Sequence, residues 1–272
     1  MANLKRYLNS FLRKSYKFLF FVLGSIWDAR LGTSINVKES GKNIFKVLDY
    51  GNLVRMRAKT FETKEPETLD WIRSFEDGDN FLDIGANIGI YSLYAAYKGI
   101  NVIAVEPDAL NYALLNLNIR VNNFGNKIMP YCIAIHDVTK FSRFNISDHL
   151  WGCACNSFDN NLDYKGDEYN PIHTQGIFGT SLDSFLQSLN LIPNHLKIDV
   201  DGNEYLTLLG AKEFLSNKSL KSILIELDDT KNNYLSSLKI FEQSGFKLAK
   251  KTHSAMFDHG KFSTIYNHIF IR

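Results

Sequence analysis

From residue 80 onward, short apolar runs alternate with longer segments whose apolar residues recur at helical spacing. Strands are expected over 81–84, 102–105, 128–135, 196–200, 222–227, 246–249 and 265–271. Helices are expected over 88–98, 109–121, 182–190, 203–216 and 231–244. In the second of these, Leu110, Leu114, Leu117 and Val121 stand three and four apart, which places them on one helical face. Strands alternating with helices argue for a mostly parallel sheet covered on both faces. The last two strands have a short connection, which permits an antiparallel strand at the C-terminal edge.

Upstream the rhythm differs. Residues 44–58 read as two short strands around the turn Asp49-Tyr50-Gly51-Asn52. Pro66 then opens a helix with Leu69, Ile72 and Phe75 at helical spacing, closed by Gly78. No chemistry shows in this region, which reads as a brace or lid. Before it, residues 3–30 carry Lys5, Arg6, Arg13, Lys14, Lys17 and Arg30 against a single acid, Asp28. The apolar run 18–27 is about half of the ~20 residues that a spanning helix needs, and no clear signal-peptide cleavage site follows. This arm reads as a helix packed on the domain or on a partner chain, as a basic aromatic helix on the inner face of an anionic membrane, or as an uncleaved signal or anchor. Residues 138–179 are rich in Asn, Asp, Gly, Ser and aromatics without a period. So long an irregular stretch covers a substrate or forms an exposed insertion.

The chain of 272 residues thus divides into an arm and hairpin over 1–61 and one catalytic domain over 62–272. Its 45% apolar and 22% charged content supplies an ordinary globular core. A net charge of only +2 disfavours a nucleic-acid partner. Cys132, Cys153 and Cys155 do not form a disulfide framework, and a reducing, cytoplasmic compartment follows.

Three constellations carry chemistry. The first is Asp83-Ile84-Gly85-Ala86-Asn87-Ile88-Gly89 at a strand-to-helix junction, followed by Glu106 at the end of the next strand. Glycine there lets the backbone turn sharply and approach a ligand, and a carboxylate at the second position accepts hydrogen bonds from ribose hydroxyls. Asn87 occupies the place where a dinucleotide loop needs glycine. Asp83 would repel a pyrophosphate but favour the ammonium and sulfonium end of S-adenosylmethionine. The second is Lys197-Ile198-Asp199-Val200-Asp201-Gly202-Asn203-Glu204, in which Lys197, Asp199 and Asp201 alternate and are expected on one side. Asp201 or Asn203 also suits a helix cap. In the third, an apolar strand ends in Glu226, Asp228 and Asp229, facing an acceptor or starting a turn. His136 is read as a loop residue.

With Glu106-Pro107, Thr180-Ser181-Leu182-Asp183 and Ile225-Glu226, these segments resemble the FkbM family of methyltransferases in order and spacing over about 62–272. The family usually has Glu where Asp201 stands and often Ala at Asn203. The resemblance implies a Rossmann-like class I methyltransferase sheet and S-adenosylmethionine-dependent O-methylation of a sugar, glycolipid or secondary metabolite. It places Asp83, Gly85, Asn87, Gly89 and Glu106 at the cofactor, and offers Lys197, Asp199 and Glu226 as catalytic candidates. Asp199 is the expected base or acceptor-positioning group, tuned by Lys197. A divalent metal on Asp199 and Asp201 is a variant of this scheme. The alternatives are a nicotinamide-dependent sugar oxidoreductase, whose Tyr/Lys pair is not found, and a non-catalytic cofactor-binding scaffold in glycan assembly. No Asp-Pro-Pro-Tyr-like tetrapeptide of amino-directed nucleic-acid methyltransferases occurs.

Overall fold

The computed structural model describes residues 33–260 and 262–272; the basic arm over 3–30 lies outside them. In chain order the elements are β1 Ser34–Glu39, β2 Lys42–Leu48, α1 Asn52–Lys59, α2 Phe61–Lys64, α3 Pro66–Arg73, β3 Asn80–Ile84, α4 Ile90–Tyr97, β4 Asn101–Val105, α5 Ala109–Val121 and β5 Ile128–Tyr131. Next come β6 Ala134–Ile135, β7 Lys140–Ile146, β8 Ser157–Phe158, β9 His173–Thr180, α6 Leu182–Leu189, β10 His195–Ile198, α7 Glu204–Leu209 and α8 Lys212–Ser216. The chain ends with β11 Ser222–Asp228, α9 Tyr234–Gln243, β12 Lys247–Thr252 and β13 Ile265–Ile271.

Seven strands form the main sheet in the order β12-β13-β11-β10-β3-β4-β5. β3, β4, β5, β10 and β11 pair in parallel. β13 is antiparallel to both β11 and β12. The antiparallel strand is therefore the C-terminal one, as expected, but it lies one place inside the edge. The edge belongs to β12, whose Lys247, Lys250 and Lys251 blunt an exposed hydrogen-bonding row.

Alternate strand residues feed two cores. Phe81, Val102 and Leu224 pack toward α3, α4, α5 and the β1–β2 hairpin. Leu82, Ile103 and Ile223 pack toward α6, α8 and α9. The period of two also fixes the polar side chains, so Asp83 and Lys197, partners in register, share the α4 face.

Two expectations change. The hairpin lies earlier than 44–58: its reversal is Ser40-Gly41, both at positive φ, which suits a two-residue turn. The turn at Asp49 instead opens α1, where Asp49 accepts from Gly51 N–H and Arg55 and where Val54 and Ala58 are buried four apart. The stretch 138–179 is not irregular throughout. β7 pairs with β9 along its length, and β6 and β8 complete a second sheet of four strands. Polar runs such as Ser142-Arg143 and His173-Thr174-Gln175 concealed it, because only one end of β7 and one end of β9 are buried.

Candidate functional site

A cavity of about 770 Å³ opens beyond the carboxyl ends of β3, β4, β10 and β11, where open α/β sheets take their ligands. One side is the glycine turn. Gly85 has φ +81°, and a Cβ there would lie 1.8 Å from the Asp199 carbonyl oxygen, so only glycine lets the two strand ends approach this closely. Asn87 also turns at positive φ, its Nδ2 donating to the Cys153 carbonyl at 2.8 Å. Glu106 is 5% exposed, and its carboxylate accepts the backbone N–H groups of Asn87 (2.7 Å) and Asp108 (2.9 Å). Burial, reinforced by Asp108 and Asp201, pushes this carboxyl up to about 8. Gly85, Asn87 and Glu106 therefore line the cavity.

Asp83 and Gly89 do not. Asp83 is buried beneath the turn, accepting from Ser92 Oγ at 2.6 Å while Oδ1 has no partner among the described residues, and burial raises its pKa. Gly89 is the left-handed residue before α4, and a Cβ there would meet Leu115 at 2.4 Å. Both serve the shape of the loop from below.

Lys197 donates to Asp199 at 2.8 Å and lies over the Tyr91 ring. Burial works against its charge, but Asp199, Asp83 and Glu65 outweigh that and raise its pKa above the ordinary lysine value. Asp201 does not continue the row. The strand ends at Ile198, Asp201 turns at φ +53°, and its Oδ2 accepts the Cys155 N–H at 2.7 Å. Burial and Asp199 push its carboxyl up to about 6. The start of α7 is held by Glu204, which accepts the N–H groups of Val200 and Gly202, while the Asn203 side chain makes no cap bond.

Glu226 lines the far end of the cavity with His253, Ser254, Phe257 and Phe262. Burial, then Asp199 and Glu65, raise its pKa well above the usual carboxylate range. Among the described residues the buried Ser254 hydroxyl has no hydrogen-bond partner. Among the described residues no three His, Cys, Asp or Glu side chains are grouped to hold a metal ion. Asp199 is bound by Lys197 and one Asp201 oxygen by Cys155. The residues present therefore do not fit the divalent ion that the sequence suggested.

Several lining residues were not foreseen. Arg57 and Lys64 come from α1 and α2, and Glu65 follows directly. Lys64 and Lys197 overcome burial to hold the Glu65 carboxyl down at about 2. Cys153 and Cys155 enter through the connection between β7 and β8, where the Cys153 carbonyl takes Asn87 and Asn111. Only the three-dimensional return of these segments reveals them, since none carries a motif.

A family model described as "Methyltransferase FkbM domain" matches residues 83–248, more than half of the chain. The chain belongs to the FkbM methyltransferase family. An FkbM methyltransferase from Methylobacillus flagellatus is similar in fold, with 16% identity and a TM-score of 0.50 over 81% of this chain and 52% of that one. A Streptococcus mutans protein described as an S-adenosylmethionine-dependent methyltransferase matches at 10% identity and a TM-score of 0.50, over 88% and 55%. A Pyrococcus horikoshii protein described as an RNA methyltransferase matches at 15% and 0.42, over 76% and 81%. No curated protein matches the sequence. The chain spans about half the length of the first two structures. These likenesses concern the fold and do not select an acceptor. The mostly parallel sheet of an S-adenosylmethionine-dependent methyltransferase is thus the architecture of this FkbM protein, and no helix among the described residues is long and apolar enough to cross a membrane.

Proposed function

We propose that this FkbM protein transfers a methyl group from S-adenosylmethionine to a hydroxyl of a sugar, glycolipid or secondary metabolite. The observation that carries the cofactor reading is Glu106, a buried cavity-lining carboxylate whose hydrogen bonds come from two backbone N–H groups. It keeps lone pairs for ribose hydroxyls, beside a turn where Gly85 leaves no room for a side chain. These residues fit the cofactor. Asn87, tied to Cys153, stands where a nicotinamide dinucleotide needs a third glycine.

When bound, S-adenosylmethionine supplies a methyl group already activated on a sulfonium. What remains for the chain is alignment of the acceptor and removal of its proton. Alignment contributes on the order of 7–11 kcal/mol, and a positioned base adds roughly 10²–10⁴-fold. Asp199 is committed to Lys197, which lowers its value as a base. Among the described residues Glu226 has no such partner, and its raised affinity for protons suits it to the task. A positive charge entering this end of the cavity favours ionised Glu226, so the base forms as the site fills. Asp201, Ser254 and the faces of Phe257 and Phe262 offer oxygen acceptors and apolar surface together, which suits a neutral polyhydroxylated ring. The small net charge supports such an acceptor over nucleic acid. Three cysteines whose number and spacing give no disulfide framework are consistent with a reducing cytoplasm, and the basic, aromatic character of residues 3–30 supports contact with an anionic membrane surface.

Isothermal titration with S-adenosylhomocysteine, with NADH as the control, tests the reading. Micromolar binding of the former that disappears in Glu106→Ala supports it. Silence there with binding of NADH replaces it by the oxidoreductase.

A further inference from the structure

β11 and β13 run antiparallel, with Leu224 opposite Ile269 and Glu226 opposite Asn267. Directly opposed residues share a face, their Cβ atoms about 4.5–5.5 Å apart. Leu224 and Ile269 belong to the core. One step toward the carboxyl end of β11 the row turns polar, and Glu226 and Asn267 both line the cavity.

Asn267 is 7% exposed, and its Nδ2 donates at 3.0 Å to the buried Glu67 in the first turn of α3. A carboxylate only accepts, so this bond fixes the orientation of the amide. Asn267 Oδ1 makes no hydrogen bond among the described residues, and neither does the Glu226 side chain. On the other side β12 ends at Thr252, the register partner of Asn267, and the chain passes into Ser254. Two bonds hold this connection: the Ser254 carbonyl accepts the Phe257 N–H at 2.8 Å, and His253 Nδ1 donates to the Ile265 carbonyl at 2.7 Å. The Ser254 hydroxyl, buried and without a partner among the described residues, adds a third oxygen at this end of the cavity.

Buried oxygens left without partners are costly, so three together call for a ligand that answers them. Glu226 and Asn267 Oδ1 accept, whereas the Ser254 hydroxyl both donates and accepts. An ammonium would satisfy the first two but has no lone pair for a donating serine. Two hydroxyls on adjacent carbons satisfy all three, because each gives one proton and can accept another. Beside them Phe257 and Phe262, with ring centroids 5.5 Å apart at 70°, offer electron-rich faces to the C–H groups of a ring.

We propose that this end of the cavity is a diol subsite, which takes a sugar ring by two neighbouring hydroxyls, one facing Glu226 and the other held by Asn267 and Ser254. It rests on the hydroxyl-methylation reading given above and narrows the acceptor to a ring whose reacting hydroxyl has a free hydroxyl beside it. Asn267, Ser254 and Glu67 all lie outside the residues matched by the family model. Selection of the acceptor therefore belongs to the C-terminal strand pair and α3, while the cofactor wall lies within the matched region. Asn267 takes no proton; it sets which oxygen meets Glu226.

The test uses octyl glycosides of glucose, galactose, mannose and rhamnose with methyl-tritiated S-adenosylmethionine. The label should appear on a secondary ring hydroxyl whose neighbour is free. Label on a primary hydroxyl, which has no hydroxyl on the adjoining carbon, overturns the proposal. On the glycoside that is methylated, Asn267→Leu should lower kcat/KM about ten- to a hundredfold. On its analogue deoxygenated at the neighbouring carbon, the same substitution should change kcat/KM by less than about threefold, because the contact is already gone. Equal losses on both acceptors would mean that Asn267 acts only through Glu67 and the strand pair, and overturn the proposal. Unchanged kcat/KM on the full glycoside overturns it as well. Should Asn267→Leu fail to fold, the two acceptors are compared on the wild-type chain, where the proposal requires at least a tenfold loss for the deoxy analogue and equal kcat/KM refutes it. Transfer to none of the four glycosides by protein that binds S-adenosylhomocysteine overturns this subsite and leaves the cofactor reading standing. Protein that does not bind S-adenosylhomocysteine overturns the cofactor reading, and this subsite with it.

Discussion

Lys197 and Asp199 meet at 2.8 Å with side chains 2% and 29% exposed, the lysine sealed under the glycine turn and the carboxylate at its rim. Asp83, the register partner of Lys197, shares the same face and keeps one oxygen without a partner among the described residues. Lys197 thus offsets one acid on β3 and another just beyond the end of β10. Removing it leaves those charges without compensation, which costs about 3–5 kcal/mol for a buried pair. Lys197→Met should therefore lower the urea midpoint strongly, whereas Asp83→Asn, which removes a charge that burial already opposes, should lower it less. The reverse order would show that Lys197 does not hold this cluster.

The legible parts of the fold were those where periodicity and burial agree. The segment 109–121 is a helix as expected, with Leu114 in the core, although Leu110 and Val121 of the expected stripe are exposed and the buried face runs instead through Asn111, Leu115, Asn118 and Ile119; β3, β4 and β11 were visible as short, mainly apolar runs. Helix starts were partly legible. Ser181 caps α6 by accepting the Ser184 N–H, but Asp183 reaches away to cap α8 at Glu213 and Phe214, a tertiary role that sequence spacing does not encode. That Gly85, Asn87 and Glu106 come together at one cavity was readable because they belong to one strand–turn–helix–strand unit. Arg57, Glu65 and Cys153 were not, since they arrive from segments remote in sequence. Asp201 misled because its alternation with Asp199 presumed an extended chain, and a left-handed residue ends that alternation.

The glycine turn makes a prediction with an internal control. Gly41 and Gly85 have nearly the same φ, +79° and +81°, but a Cβ on Gly41 meets nothing within 4 Å. Gly41→Ala should cost only the left-handed penalty, about 1–2 kcal/mol, and leave ligand binding intact. Gly85→Ala adds the collision with the Asp199 carbonyl. Thermal unfolding should show a larger loss, and titration should show S-adenosylhomocysteine binding abolished. Equal losses for the two variants would mean that the close approach at Gly85 is not required.

Glu226→Gln separates proton removal from binding. The amide keeps the size and an acceptor oxygen but cannot take a proton. Turnover on a hydroxyl acceptor should fall about 10²–10⁴-fold, while S-adenosylhomocysteine affinity stays within a few-fold of wild type. A variant with unchanged turnover would remove Glu226 from the base role.

The pH dependence of stability should carry the signature of His268. Its side chain is fully buried in β13, with Nε2 bonded to the Tyr234 hydroxyl at 3.1 Å and Nδ1 to the Tyr266 carbonyl at 2.9 Å. Burial depresses its pKa from 6.5 to about 4. The unfolded chain therefore takes up a proton that the folded chain refuses between those values. The stability tied to this residue is complete above about pH 6.5 and is lost progressively as the pH falls toward 4, in all by roughly 3 kcal/mol. His195 is shifted in the same direction by burial, and other buried groups titrate too, so the wild-type curve alone does not isolate His268. The difference between wild type and His268→Gln does. Urea midpoints measured at pH 7.5 and 4.5 should converge for the variant relative to wild type, because glutamine has no proton to gain. Parallel declines in both proteins would show that His268 does not drive the acid limb of the profile.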